Sequence, residues 1–301
     1  MSVLKFLINI FNPFKIYRAL RFANNQTETS KEELDTELVF YRDLLDSDFI
    51  HLGYFDDPDL PGSEVSFTDV TRAQERYADL LMEHVKDGPV LDSGCGAGGF
   101  LKKLRRANFS AVGLTPDQAQ INHIREDQSD PELIHAKMEE IDTSEYENYF
   151  GTVVNMESFQ YIDLEKGFDV TQDVLEPGGR WILAENFRKQ SGTRDDSRHL
   201  IDRFRNKLDE EDWTIKHEQD ITDNILVSIK FARLLADRIV VSSIDYATEK
   251  LLKKYPFVHG LLNDHIDQGR DKLQKKLKMI DPETFRQNKT YRLFVLEREG
   301  V

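Results

Sequence analysis

Only one residue of the 301, Cys95, is a cysteine, so the chain forms no internal disulfide and nothing in it calls for an oxidising compartment. Cysteine and histidine nowhere gather at metal-ligand spacing, so no metal is expected. Bases are in deficit, 40 against 55 acids for a net charge of −15. That is the wrong sign for a nucleic-acid partner, which asks for a basic face. No apolar run spans a bilayer, no small-residue cleavage site marks a signal peptide, and neither internal repeats nor low-complexity tracts occur. A cytoplasmic protein with one substantial core and room for an appended cap is the expectation.

What is present begins with a glycine loop, Val90-Leu91-Asp92-Ser93-Gly94-Cys95-Gly96-Ala97-Gly98-Gly99. An apolar strand runs straight into it, and glycine lets backbone approach a ligand closely while the next helix offers its unpaired amides. Gly94, Gly96 and Gly99 fit the dinucleotide fingerprint by spacing, which keeps an NAD-dependent oxidoreductase as an alternative. Three features point elsewhere. Asp92 sits at a buried strand end, where a carboxylate needs a partner that a cationic ligand would supply. The acid that a dinucleotide wants on its ribose is missing, because the next strand, Ala111-Val112-Gly113-Leu114, ends in Thr115. Further on, the turn Leu175-Glu176-Pro177-Gly178-Gly179 feeds another strand, Arg180 to Ala184.

Loop, turn and order together resemble the class I S-adenosylmethionine-dependent methyltransferases. The resemblance implies an α/β fold: a Rossmann-like, seven-stranded, mostly parallel sheet with an N-terminal helical lid and a helical cap inserted before the last strand. It implies S-adenosylmethionine as cofactor and a small-molecule methyl acceptor as partner. Asp92 would face the methionine end, with Gly94, Cys95 and Gly96 passing beneath the sugar. Gly113-Leu114-Thr115 with Gln120 five residues on is similar to the cyclopropane-fatty-acid, mycolic-acid and sterol branch, where both side chains bond ribose hydroxyls without adding charge. Read from the residues alone, the alternative is a Thr-Pro helix start in which Thr115 or Asp117 merely caps. Met138 and Glu139 take the adenine-facing places, with a solvated acidic turn as an equal reading of Glu139 taken alone. Asn155 ends the fourth strand beside the crevice.

After it come Glu157, Phe159, Gln160 and Tyr161, where the branch has Phe-Glu-His in place of Phe159-Gln160-Tyr161. Gln160 cannot act as the base the family's glutamate provides, so methyl transfer is expected and ring formation is not. Glu157, with Tyr161 beside it, is the candidate base or cation stabiliser, unless backbone amides already satisfy it. The early loop His51-Leu52-Gly53-Tyr54-Phe55 is similar to the segment this branch folds over the cofactor, giving His51 as a titratable group and Tyr54 as a ring against the sulfonium.

Strand signals near 89–92, 111–114, 132–135, 150–155, 180–185, 213–219 and 291–298 alternate with helices beginning near Phe100, Pro116, Asp163 and Thr193. Helical spacing also covers 32–46 and 67–86, with a polar linker at 24–31. The expected organisation is an N-terminal lid over 1–66, a cofactor-binding core over 67–223 plus 284–301, and a cap over 224–283. The cap offers a second use as a homodimer surface. Residues 1–22 carry Lys5, Lys15, Arg18 and Arg21 and no acid among apolar residues. They suit either a peripheral membrane contact or packing over the pocket or a partner subunit. The function expected is methylation, carbon favoured, of a hydrophobic lipid, isoprenoid or aromatic metabolite; N- or O-methylation of a small polar metabolite is the alternative.

Overall fold

The computed structural model describes residues 45, 47–190 and 199–298. Its strands are β1 Val90–Ser93, β2 Ala111–Thr115, β3 Glu132–His135, β4 Phe150–Met156, β5 Leu175–Arg188, β6 Trp213–Asp220 and β7 Lys289–Arg298. They form one sheet in the order β3-β2-β1-β4-β5-β7-β6. The first five run parallel, and β7 runs antiparallel to both β5 and β6. This is the expected Rossmann-like sheet. Because the chain leaves β1 toward β2 on one side and returns at β4 on the other, a crevice opens at the carboxyl ends of β1 and β4.

Parallel strands are covered on both faces, so both alternating sets of side chains must be apolar. Leu91, Val153, Trp181 and Leu183 point into one core with Phe168 and Phe204, while Val90, Val154, Ile182 and Ala184 point into the other with Tyr77 and Leu101. The first core is aromatic, with the Phe168 and Trp181 ring centroids 5.0 Å apart.

The helices are α1 Phe67–Met82, α2 Gly99–Arg106, α3 Gln118–Asp127, α4 Leu164–Val174, α5 Ile201–Glu210, α6 Thr222–Leu235, α7 Ser242–Lys254, α8 Pro256–Met279 and α9 Pro282–Asn288. A capping box starts α1: the Ser66 hydroxyl accepts from the Asp69 amide, and the Asp69 carboxylate accepts from the Ser66 amide. The helix expected near Pro116 starts two residues later, since the Asp117 carboxylate caps it by accepting from the Ala119 and Gln120 amides. β5 extends beyond the expected 180–185 at both ends. Within the segment expected as a cap, α6 is a core helix, burying Ile225, Leu226, Val227 and Ile229. A π-helical turn, Ala236–Val241, follows it, and beyond that α7 buries nothing. The apolar segment 1–22, the linker 24–31, all but Leu45 of the helix expected over 32–46, and the helix start near Thr193 lie outside the described residues. No helix among the described residues is long and apolar enough to cross a membrane.

Candidate active site

β1 hands the chain to α2 through three glycines in the left-handed region, Gly94 (φ +83°), Gly96 (φ +55°) and Gly98 (φ +83°). The Gly94 and Cys95 amides donate to the Leu114 carbonyl at 2.8 and 3.1 Å, tying the loop to β2. A Cβ at Gly94 would fall 2.3 Å from Ser158 Cβ, so backbone conformation and space both demand glycine here. Beneath the loop Asp92 is 1 % exposed, and its Oδ2 has no hydrogen-bond partner among the described residues. Burial pushes its carboxyl up to about 7, opposed by the Leu101 backbone. An orphaned buried carboxyl next to a glycine cradle fits a cationic cofactor. Cys95 turns its thiol into the core, where burial raises it, and serves the loop through backbone alone.

A cavity of about 750 Å³ occupies the crevice. One half is walled by Ser93, Gly94, Gly96, Thr115, Gln120, Met138 and Glu139. The Thr115 hydroxyl donates to Gln120 Oε1 at 2.7 Å and accepts from the Asp117 amide, so this threonine closes the turn and faces the cavity at once. Glu139 Oε1 accepts from the Asp163 amide at 3.0 Å, and the Ser93 hydroxyl meets Met138 Sδ at 3.3 Å. These side chains offer the oxygen acceptors and apolar contact that a ribose and an adenine need.

Two expected cofactor residues stand behind the wall. Asn155 is fully buried: its Nδ2 donates to the Ser93 carbonyl and the Ser158 hydroxyl, and its Oδ1 accepts from Trp181 Nε1 at 2.9 Å. It clamps the ends of β1 and β4 rather than meeting ligand. Tyr54 packs in the core, with the Arg76 guanidinium 5.8 Å above its ring.

The other half of the cavity gathers His51, Glu157, Gln160, Asn186 and Tyr291 against an apolar side of Met156, Ile229, Ala232, Ile280 and Phe285. Glu157 has φ +57°, a conformation costing a side chain about 1–2 kcal/mol, at the site where β4 ends. Its amide donates to the Ala184 carbonyl and its Oε1 accepts from the Leu52 amide at 3.1 Å. Burial, and then the Glu157 charge, holds the hydroxyls of Tyr291 and Tyr77 well above the usual tyrosine range, so both stay protonated. His51 Nδ1 lies 2.7 Å from the Leu52 carbonyl, which assigns the proton to that nitrogen; Nε2 has no partner among the described residues. Burial lowers the ring to about 4, the Leu52 contact opposing, so His51 is neutral at pH 7. Gln160 donates from Nε2 to the Glu157 carbonyl and accepts at Oε1 from Asn186 Nδ2, 3.0 and 3.1 Å. Tyr161, 73 % exposed, stands on the rim.

Residues 90–179 match the model of a methyltransferase domain. They are an S-adenosylmethionine-dependent methyltransferase domain. No protein of curated function matches the chain in sequence. Among solved structures, geranyl diphosphate C-methyltransferase from Streptomyces coelicolor A3(2) is 17% identical with a TM-score of 0.61, over 89% of this chain and 95% of that one. The cyclopropane synthase MmaA2 from Mycobacterium tuberculosis is 14% identical with a TM-score of 0.59, over 89% and 95%. A Galdieria sulphuraria protein assigned as a sarcosine dimethylglycine methyltransferase is 14% identical with a TM-score of 0.64, over 88% and 99%.

The methyltransferase site also uses residues that the sequence reading passed over. Gln74 lies in the apolar stripe of α1 between Ala73 and Tyr77, and that misplaced polarity was its signal. Its Nε2 donates to the His51 and Phe49 carbonyls while its Oε1 accepts from the Ser47 hydroxyl, fixing the loop that carries His51. Ser228 on α6 holds the same loop by donating to the Gly53 carbonyl and accepting from the Gly53 amide. Asn186 and Tyr291 reach the cavity from neighbouring strands paired in register, a placement that depends on β7 lying beside β5.

Proposed function

We propose that the enzyme methylates a small hydrophobic acceptor, a lipid, isoprenoid or aromatic metabolite, with carbon the favoured acceptor atom. The observation that carries this reading is that Met156, Ile229, Ala232, Ile280 and Phe285 line the same cavity as Glu157. The geranyl diphosphate C-methyltransferase of the same fold, whose name gives it an isoprenoid substrate, supports it. When bound, the cofactor supplies an electrophilic methyl group on a sulfonium.

The protein's own part is alignment, exclusion of water and handling of charge. The glycine loop with Thr115, Gln120, Met138 and Glu139 fixes the cofactor's position, and Asp92 balances its charge from beneath. The His51 to Phe55 loop, pinned by Gln74 and Ser228, shields the reacting centre. On methylation of a carbon–carbon double bond, the Glu157 carboxylate stabilises the developing cation and accepts the departing proton. Gln160 holds the Glu157 backbone in its strained conformation and, as a neutral amide, cannot itself supply a base for ring closure. Tyr161 guards the rim.

A second reading, N- or O-methylation of a small polar metabolite, draws on the neutral His51: its Nε2 is a single base of the kind such transfer needs. The division into lid, core and cap belongs to this proposal as well, with α6 counted in the core and the cap narrowed to α7 and α8. Incubation with methyl-labelled S-adenosylmethionine and fractionated lipid and metabolite extracts tests it. Label in lipid or isoprenoid fractions is the expected result; label confined to polar amines overturns the hydrophobic reading.

A further inference from the structure

Beyond the π-helical turn, α7 and α8 stand out from the core as a hairpin whose tip exposes apolar side chains. Phe257 and Leu261 are 57 % and 64 % exposed, and Leu252 and Tyr255 beside them are also exposed. Exposed apolar groups gathered at one tip mark a surface that meets something. On α7, Lys250, Lys253 and Lys254 share one helical face with Tyr246 and Glu249, the last paired with Lys253 at 2.6 Å, and together they line a surface depression of about 370 Å³. Lys250 Nζ lies 5.4 Å over the Tyr246 ring and Lys254 Nζ 5.7 Å over the Tyr255 ring. Residues 246–262 carry three lysines against one glutamate in a chain of net charge −15.

We infer that this hairpin tip is a docking surface for an anionic lipid bilayer, with the three lysines on the headgroups and Tyr255, Phe257 and Leu261 in the interface. Charge decides the occupant. Residues 1–22 carry four bases and no acid, so the lysine face repels that segment, and both would be drawn to one anionic surface. Two-fold pairing of hairpins through the α7 face sets the same three lysines against themselves. An anionic bilayer answers both the apolar tip and its charge. The hairpin's roots, Ala232 and Ile280, line the acceptor half of the cavity, so docking places that half beside the lipid; this last step alone rests on the proposed function.

The test is co-sedimentation of the full chain with phosphatidylcholine vesicles, with and without phosphatidylglycerol. Binding is expected to the phosphatidylglycerol vesicles only. The triple variant Lys250→Glu, Lys253→Glu, Lys254→Glu is expected to weaken it at least about a hundredfold, from about fivefold per lysine at an anionic surface. The double variant Phe257→Ser, Leu261→Ser weakens it independently and keeps the test decisive if the triple variant does not fold. S-adenosylhomocysteine binding, unchanged in both, verifies the core. The inference is overturned if the wild type ignores phosphatidylglycerol vesicles, or if hairpin variants bind like wild type while Lys5→Ser, Lys15→Ser, Arg18→Ser, Arg21→Ser does not bind. It is likewise overturned if light scattering reveals a dimer that the hairpin variants dissociate.

Discussion

Replacing Asp92 by asparagine removes a carboxyl that the fold keeps from ionising, and the effect is measurable as stability against pH. The ordinary aspartate value is 3.8, and burial raises it to about 7 here. At about 1.4 kcal/mol per tenfold change in acidity, ionising Asp92 in the ligand-free fold costs about 4 kcal/mol. Because the folded value lies above the unfolded one, the folded state binds the extra proton between the two, and stability falls as pH rises through that window, levelling above about 7. Between pH 5 and pH 8 the wild type should therefore lose about 2–3 kcal/mol more than Asp92→Asn, all other groups cancelling in the comparison. Urea unfolding of both proteins at the two pH values measures this. The same carboxyl makes binding of S-adenosylmethionine tighten as pH rises toward 7, with a proton released, a trend that Asp92→Asn abolishes. Parallel stability profiles for wild type and Asp92→Asn would refute the reasoning.

Gly94→Ala must hold a Cβ at φ +83° and 2.3 Å from Ser158 Cβ; calorimetry should show S-adenosylhomocysteine affinity reduced at least about tenfold, from about 1–2 kcal/mol of backbone strain alone. Gln160→Glu loses the donor to the Glu157 carbonyl and sets a carboxylate against it, lowering stability by about 1–3 kcal/mol in urea unfolding. His51 is held near 4, below its unfolded 6.5, so it remains neutral in the fold while the unfolded chain takes up a proton. Stability attributable to it is present above about 6.5 and lost as pH falls toward 4; His51→Phe should flatten that acid limb in thermal unfolding.

The sheet was legible because its buried strands are apolar on both faces: Val90-Leu91, Val153-Val154 and Trp181 to Leu183 need no partner to be recognised. The half of the cavity proposed for the cofactor was legible for a similar reason, since Gly94, Gly96, Thr115 and Gln120 line it from short stretches of chain. Asn155 and Tyr54 show the limit. Asn155 adjoins a cavity residue and Tyr54 lies two residues from one, yet side-chain direction turns both into the packing, one toward Trp181 and the other under Arg76. The acceptor half was less legible because it is assembled from α6, β5, β7 and the turn before α9, elements far apart in the chain. Asn186 and Tyr291 look unremarkable until β5 and β7 pair.

The central claim is that the crevice beneath the glycine loop holds S-adenosylmethionine for methyl transfer. Titration calorimetry of the full chain with S-adenosylhomocysteine and, separately, with NAD tests it most directly. Saturable binding of S-adenosylhomocysteine that Gly94→Ala weakens, with no heat from NAD, is the predicted result. Binding of NAD with none of S-adenosylhomocysteine would contradict it.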